Sequence, residues 1–447
     1  MCWRTWDKYL AASERWQRLT WRERLGSRGL SNFSLMIARL AAFLWASVRH
    51  SKCLIILIGR PASVFDEIDR TTSGAASRVS SAFNYLNTSN RTEASRVRAL
   101  VDDLFRRYPA SHRKDLKRRL RSIDNITHAS AFFELALHEI LLCTGHKIVA
   151  VEPTVPGTDK KPDFLVESSE GARFYLEATL ATGRSNADEA AQRRLNQALH
   201  IIDTMGSPDY FLDLSIVGIP TDNIPAATFR HRLRSWLRQL RYEDVVAAWE
   251  QRAHAVPSFD YVEHGVEFHI RPYPRKNTRG DPNERAIGVQ SLEPFVGRPE
   301  LPIRAAITGK AGRYGALPLP YIIAVNAMGN YPREDHAIDA LFGSPSVAVY
   351  QTDDGLRHRD VRQPDGAWRG PGGPEYTRVS AVISTERVDP WHIGLRRARL
   401  ILNPWAARPD QFSNLTIDRR EVKNEILVES EGAALREILE VPENWPE

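Results

Sequence analysis

The sequence predicts an α/β or α+β fold, a mixed sheet flanked by helices, with a helical N-terminal region and a β-rich C-terminal extension. First, a strongly apolar helix at residues 131–143 is followed directly by three strand-like runs. Second, a helical pattern at residues 303–314 leads into an apolar strand at residues 321–325. Third, 447 residues with 42% hydrophobic side chains are enough for two or three domains with buried cores.

Residues 1–90 are predicted to form a helical N-terminal extension that matches no recognisable module. Its apolar run at residues 35–48 contains Arg39 and is shorter than the roughly 20 residues that span a bilayer. No clear cleavage pattern follows this run. The 3 cysteines are far apart and form no CxxC pair, which argues against a disulfide framework. The sequence therefore predicts a cytoplasmic protein without a membrane partner and leaves its oligomeric state open.

Residues 91–126 are predicted to be a basic helical region, because apolar side chains recur there at helical spacing on both sides of Pro109. The whole chain has 61 basic and 55 acidic residues, a mild excess that identifies no partner by itself. This region concentrates the excess. Arg118 and Arg119 are therefore predicted to face nucleic-acid phosphates, with a solvated helix face as the alternative.

Residues 127–330 are predicted to form the core of the protein. The stretch at residues 131–143 is apolar on nearly every face, which indicates a buried helix, and Gly145 is a natural stop for it. Three strands are then predicted, at residues 147–152, 164–167 and 174–180.

The core is predicted to contain an insertion at about residues 184–302. Helical and extended patterns alternate in its first part, and its end at residues 273–302 is rich in Pro, Gly and Arg and is predicted to be a long loop. Residues 331–447 are predicted to form the β-rich extension, with strands near residues 347–350, 379–384 and 400–402.

Three carboxylates could carry chemistry in the predicted core. Glu134 lies in the middle of the apolar helix, where a buried charge is costly unless it is paired or bound to a metal. Asp163 opens the second strand and Glu177 lies in the third, so neighbouring strands could place both side by side. Carboxylate oxygens are ligands for a hard cation such as Mg²⁺. His138, one helical turn from Glu134, is predicted to be a packed histidine or one that supports Glu134.

In the order of these residues the sequence resembles the PD-(D/E)xK nuclease superfamily, over about residues 131–180 and less closely to about residue 326. The matching motifs are Glu134, Pro162-Asp163 and Glu177-Ala-Thr179. The resemblance implies a restriction-endonuclease-like sheet, Mg²⁺ or Mn²⁺ held by the three carboxylates, and cleavage of DNA in preference to RNA, in a setting such as bacterial genome defence.

The resemblance fails at one position, because Thr179 occupies the place of the motif lysine. Its side chain should face the same way as that of Glu177 but carries no positive charge. Members of the superfamily can carry this lysine on another element, and Lys310 is the preferred candidate here, with Tyr314 predicted on the same helical face. Lys160 and Lys161 are the competing candidates.

The leading hypothesis is a magnesium-dependent DNA endonuclease with Glu134, Asp163, Glu177 and Lys310 as its catalytic residues. The Arg-rich loop would then contact phosphates through Arg275, Lys276 and Arg279. Each carboxylate also has an ordinary explanation: Glu134 could pair with an arginine, Pro-Asp is a common turn, and Glu177 could be an exposed strand residue. Two alternatives remain, a catalytically degenerate nucleic-acid-binding module on the same fold and a protein-interaction scaffold with an exposed apolar patch.

Overall fold

The structure is a computed structural model that describes residues 62–183, 186–251, 255–277, 279–280, 285–292, 298–329, 333–409 and 415–447. The predictions for residues 1–61 lie outside the described residues. The described residues belong to one unit, Ala62–Glu447.

The first part of the described chain is helical, in agreement with the sequence pattern. Its helices are α1 Ala82–Thr88, α2 Thr92–Arg107, α3 Arg113–Leu120 and α4 Asn125–Cys143. Helix α4 begins earlier than predicted because the Asp124 side chain accepts a hydrogen bond from the Thr127 N–H at 2.9 Å and caps it. In the part of the chain that the structure describes, α4 alone is long and apolar enough to cross a membrane, and its burial against the sheet is that of a core helix.

Strands dominate the rest of the described chain. They are β1 Lys147–Val151, β2 Phe164–Glu167, β3 Arg173–Ala181, β4 Tyr210–Gly218, β5 Phe259–Glu263, β6 Val266–Pro274, β7 Ile287–Leu292, β8 Tyr321–Ala327, β9 Pro345–Thr352, β10 Gly355–Arg362, β11 Arg369–Gly370, β12 Gly373–Pro374, β13 Ala381–Glu386, β14 Ala398–Leu402, β15 Asp418–Lys423 and β16 Ile426–Ser430. The helices between and after them are α5 Asn186–Asp203, α6 Ala226–Gln239, α7 Tyr242–Gln251, α8 Glu300–Ala311, α9 Glu334–Phe342 and α10 Leu435–Ile438.

Eight strands form the central sheet in the order β1-β2-β3-β8-β13-β14-β15-β16. The sheet is mixed: β3 and β13 both run parallel to β8, whereas β2 is antiparallel to both β1 and β3. Alternate side chains of its strands enter two different cores, as a pleated strand requires. One core holds helices α2, α3 and α4, and the other holds α8 and α9. The predicted class, a mixed sheet flanked by helices, is confirmed.

The inserted segment forms a sheet of its own in the order β5-β6-β4-β7, with a separate core shared with α5 and α6. The prediction of a long loop at residues 273–302 is wrong in part, because this segment contains β7 and the start of α8. Strand β7 pairs parallel with β4, which is distant in sequence, so no local pattern predicts it. Strand β5 was also missed.

The C-terminal region continues the central sheet, which differs from the separate extension expected for residues 331–447. Strand β13 lies directly beside β8, and β14, β15 and β16 follow it outward. Among the described strands, β9 and β10 pair with each other alone and form a hairpin with exposed apolar side chains such as Val349 and Leu356. The core therefore needs residues from both sides of the predicted boundary.

Candidate active site

Asp163 and Glu177 lie next to each other where β2 meets β3. Phe164 pairs with Leu176 in the antiparallel register, so the next position in that register sets Asp163 opposite Glu177. The Asp163 carboxylate accepts a hydrogen bond from the backbone N–H of Ala178 at 2.6 Å. Both acidic side chains therefore lie at the same place in the sheet.

The Asp163 carboxyl is in an environment that disfavours its charge. Burial, and after it the negative charges of Glu177 and Glu134, raise its pKa to about 8. The charge of Lys310 and the Ala178 N–H act in the opposite direction but only in part. Among the ion pairs of the described residues, none involves Asp163. This carboxyl is therefore the least neutralised of the three.

Glu177 is almost fully buried, with 2% of its surface exposed, and has a dense set of partners. The Lys310 ammonium donates a hydrogen bond to Oε1 at 2.5 Å, and the Tyr314 hydroxyl contacts Oε2. The Arg313 guanidinium lies 3.7 Å from Oε1. Lys310, the preferred candidate for the missing lysine, therefore contacts the carboxylate of the strand that carries the motif.

Tyr314 reaches Glu177 by a different route from the one predicted. Helix α8 ends at Ala311, so Lys310 and Tyr314 do not share a helical face. The chain turns after the helix, and the Tyr314 ring packs edge-on against Tyr321 with centroids 5.7 Å apart. Its hydroxyl also lies 3.0 Å from the Lys161 carbonyl oxygen. Burial and the contact with Glu177 raise the pKa of Tyr314, so the hydroxyl keeps its proton.

Glu134 is held by Arg119 and Tyr108 rather than left free for a metal. The Arg119 guanidinium donates to Oε2 at 2.6 Å and to Oε1 at 3.0 Å, and the Tyr108 hydroxyl donates to Oε1 at 2.6 Å. This bidentate pair is the ordinary explanation that the sequence left open for Glu134. With three hydrogen bonds from protein donors, Glu134 is the least available of the three predicted metal-binding carboxylates.

The other residues predicted for the site make no contact with its carboxylates among those described above. Thr179 lies two residues beyond Glu177 in β3, opposite Val325 of β8, and is partly buried. Lys160 and Lys161 are both exposed. His138 packs against Tyr108, with ring centroids 4.9 Å apart, and burial lowers its pKa to about 4, so it is a neutral packed histidine.

The residues predicted to contact phosphates divide into exposed and buried ones. Arg118 has 73% of its side chain exposed, and Lys276 is exposed as well. Arg279 is exposed but pairs with Asp209 at 2.9 Å. For Arg275 the prediction is wrong, because its side chain is 0% exposed and donates to the backbone carbonyls of Tyr210 and Arg285. The Arg119 guanidinium makes its bidentate contact with Glu134.

The donor set fits one hard cation on Asp163 and Glu177 only. Among the described residues, no group of three or more His, Cys, Asp or Glu side chains is arranged to hold a metal. Two carboxylates are nevertheless enough for Mg²⁺, which usually completes its octahedron with water and phosphate oxygens. Each Glu177 oxygen accepts from one side-chain donor at hydrogen-bond distance and keeps a further lone pair. A cation here would also offset the charge repulsion at Asp163.

Sequence reasoning missed the partners of these carboxylates, namely Tyr108, Arg313 and the role of Arg119. Comparison with protein-family models, with curated proteins and with solved structures gives no match for this chain.

Proposed function

We propose that the chain is a magnesium-dependent nuclease that cleaves DNA phosphodiester bonds, with a centre of the PD-(D/E)xK type and a fold like that of restriction endonucleases. The observation that carries the proposal is the contact of Lys310 with Glu177 beside the poorly neutralised Asp163. These residues come from distant parts of the chain, and the charge of the buried Glu177, with a partly buried Asp163 and Lys310 beside it, is costly for stability alone.

The residues have complementary chemical roles in this proposal. Asp163 and Glu177 would hold the cation. When bound, magnesium supplies positive charge against the scissile phosphate and makes water a stronger nucleophile. The Lys310 ammonium would orient the attacking water and offset the charge that builds up on the phosphate. Lys310 thereby supplies the cation that Thr179 lacks.

Two neighbours would keep Glu177 in position. Tyr314 contacts one carboxylate oxygen and is anchored at the Lys161 carbonyl, and its ring is fixed against Tyr321. Arg313 adds positive charge at 3.7 Å from the other oxygen. A preorganised carboxylate of this kind costs little reorganisation during the reaction.

The test combines a cleavage assay with an independent measure of metal binding. Purified protein is incubated with plasmid DNA with and without Mg²⁺, and its melting temperature is recorded over a magnesium titration. We expect nicked or linear DNA only with magnesium, and a melting temperature that rises with magnesium in the wild type but not in Asp163→Asn. Lys147→Ala is the control, because Lys147 is an exposed lysine on the outermost strand β1.

A catalytically degenerate nucleic-acid-binding module is the second candidate. Thr179 in place of the motif lysine and the Arg119 pair of Glu134 favour it. DNA binding by the wild type without magnesium-dependent cleavage or a magnesium-dependent melting temperature would decide for this candidate.

A further inference from the structure

The inserted sheet contains an aromatic pocket that the proposed catalytic centre does not use. Its cavity of about 460 Å³ is lined by Phe211, Leu212, Asp213, Trp249, Tyr273, Ile287 and Gly288. We propose that this aromatic pocket binds a single unpaired nucleobase. The inference rests on the proposed function only in taking a nucleic acid as the partner.

The pocket lies on the face of the inserted sheet that points away from the core of the insertion. Leu212, Leu214 and Ile270 enter that core. The alternating side chains face the other way and form two cross-strand pairs, Phe211 with Tyr273 and Asp213 with Arg271. A sheet face that carries aromatic rings outside the core is a surface for stacking.

Neighbouring contacts fix two of the aromatic rings. The Trp249 indole N–H donates to the Pro272 carbonyl at 2.9 Å, and its ring meets that of Tyr273 edge-on with centroids 5.0 Å apart. The buried Arg275 guanidinium lies 3.9 Å from the centroid of the Phe211 ring. A flat ligand would therefore meet walls that are already ordered, which lowers the entropy cost of binding it.

Charge in the pocket favours a neutral ligand. Arg271 donates to the Asp213 carboxylate at 2.6 Å, and its guanidinium lies over the Trp249 ring at 5.6 Å from the centroid. Arg271 thus neutralises Asp213 and already occupies the cation position on Trp249, so a cationic ligand gains little there. A neutral base offers both a stacking face and N–H and carbonyl groups that match Asp213 and Arg271.

The surroundings of the pocket suit the phosphate that accompanies a base. Lys276 follows Tyr273 closely in the chain and is exposed. Arg271 is also partly exposed, with 41% of its side chain accessible. Positive charge beside an aromatic surface is the combination by which proteins bind single nucleotides of a strand. This also gives part of the Arg-rich stretch a role that the buried Arg275 cannot have.

The experiment measures binding by fluorescence anisotropy in EDTA, so that it does not depend on cleavage. Three labelled duplexes of equal length are compared: one fully paired, one with a single bulged guanine, and one with an abasic site in place of that guanine. Guanine is chosen because its ring N–H and amino group are donors for Asp213. We expect about tenfold tighter binding of the bulged guanine than of the abasic duplex.

Substitutions locate the effect. Tyr273 is 48% exposed, so Tyr273→Ala should fold. It should bring the ratio of the affinities for the bulged-guanine and abasic duplexes close to one, whereas Tyr273→Phe should keep the wild-type ratio. Tyr350→Ala in the β9–β10 hairpin is the matched control, because Tyr350 is 47% exposed. Trp249→Phe keeps a ring but loses the indole N–H and should weaken the ratio in part.

The remaining outcomes distinguish a base within a nucleic acid from a free nucleotide, and the pocket proposal from the nuclease proposal. If guanosine monophosphate competes with DNA binding, if Tyr273→Ala abolishes this competition, and if the three duplexes bind equally well, the pocket is assigned to a free nucleotide. Equal affinity for all three duplexes together with no competition overturns the inference. Cleavage without base preference removes the pocket proposal alone, and base preference without cleavage removes the nuclease proposal alone.

Discussion

Glu134 and Glu177 are two buried glutamates on neighbouring elements, and they are neutralised in different ways. Glu134 meets the planar guanidinium of Arg119, which binds both carboxylate oxygens at once, and the Tyr108 hydroxyl adds a third bond. Glu177 meets a compact ammonium at one oxygen and a hydroxyl at the other. The fork of arginine reaches both oxygens of a carboxylate at once, whereas lysine acts as a point charge, so Glu177 with two donors keeps more acceptor capacity than Glu134 with three.

The difference teaches that burial of a glutamate does not by itself define a reactive site. The Glu134 region has the features of a structural pair that ties α3 to α4. The Glu177 region leaves a poorly neutralised Asp163 beside a lysine. Substitutions in the two regions should therefore affect different measurements, activity in one and stability in the other.

The largest effect is expected from removing the acids of the Glu177 region. Asp163→Asn or Glu177→Gln should reduce magnesium-dependent cleavage below detection. The melting temperature of Asp163→Asn should be unchanged or higher, because the burial and the repulsion by Glu177 and Glu134 that raise the pKa of Asp163 both act against a charge that the amide lacks. Asp354→Asn, at an exposed acid near the tip of the hairpin, is the control. Cleavage retained in either site variant would mean that the chemistry lies elsewhere.

Lys310→Ala should lower the turnover rate by about two to three orders of magnitude with little change in DNA affinity, because its charge acts mainly in the transition state. Lys310→Arg should recover activity only in part, since a guanidinium presents its charge differently from an ammonium. Single-turnover cleavage and DNA binding are measured side by side. A loss of affinity equal to the loss of rate would make Lys310 a simple binding residue.

In the Glu134 region the expected effect is on stability. Arg119→Ala leaves Glu134 buried without its bidentate partner and should lower the free energy of unfolding by about 2–3 kcal/mol. Arg118→Ala on the same helix should change it by less than about 0.5 kcal/mol, because both Arg118 and its partner Asp115 are exposed. Urea denaturation compares the two variants. Equal losses would show that the Arg119 pair is not structural.

The smallest effect concerns the salt dependence of DNA binding without metal. Arg118→Ala or Lys276→Ala should each reduce the slope of log affinity against log salt by about one, if each side chain contacts one phosphate. Lys423→Ala, at an exposed lysine of β15, is the control. A slope unchanged in both variants would remove these residues from the nucleic-acid surface.

The sequence predicted the elements around the centre well because they have strong local patterns. The apolar runs of α4 and of the first half of β3 both indicate burial directly. Strand β5 is absent from the prediction although its hairpin with β6 has a local signal, the Gly265 of its turn, where His264 and Gly265 have φ of 56° and 74°.

Partners that meet only in the folded chain could not be predicted in the same way. Arg119 and Arg275 look like surface cations in the sequence, but one pairs with Glu134 and the other is buried among carbonyl oxygens and an aromatic ring. Tyr314 is predicted on the helical face of Lys310, but the helix ends before it and the turn after α8 brings it to Glu177. Tertiary contacts determine whether a long polar side chain is buried and which group it pairs with.

The adjacent positions of β3 and β8 have a consequence for the modularity of the chain. The inserted sheet leaves the central sheet after β3 and returns just before β8, and a side chain at Gly183 would come within 3.1 Å of Pro302. The two ends of the insertion are thus almost in contact. A short flexible linker could bridge them, so the central sheet should accept the removal or exchange of the insertion as a cassette and keep Lys310, which lies beyond the second junction.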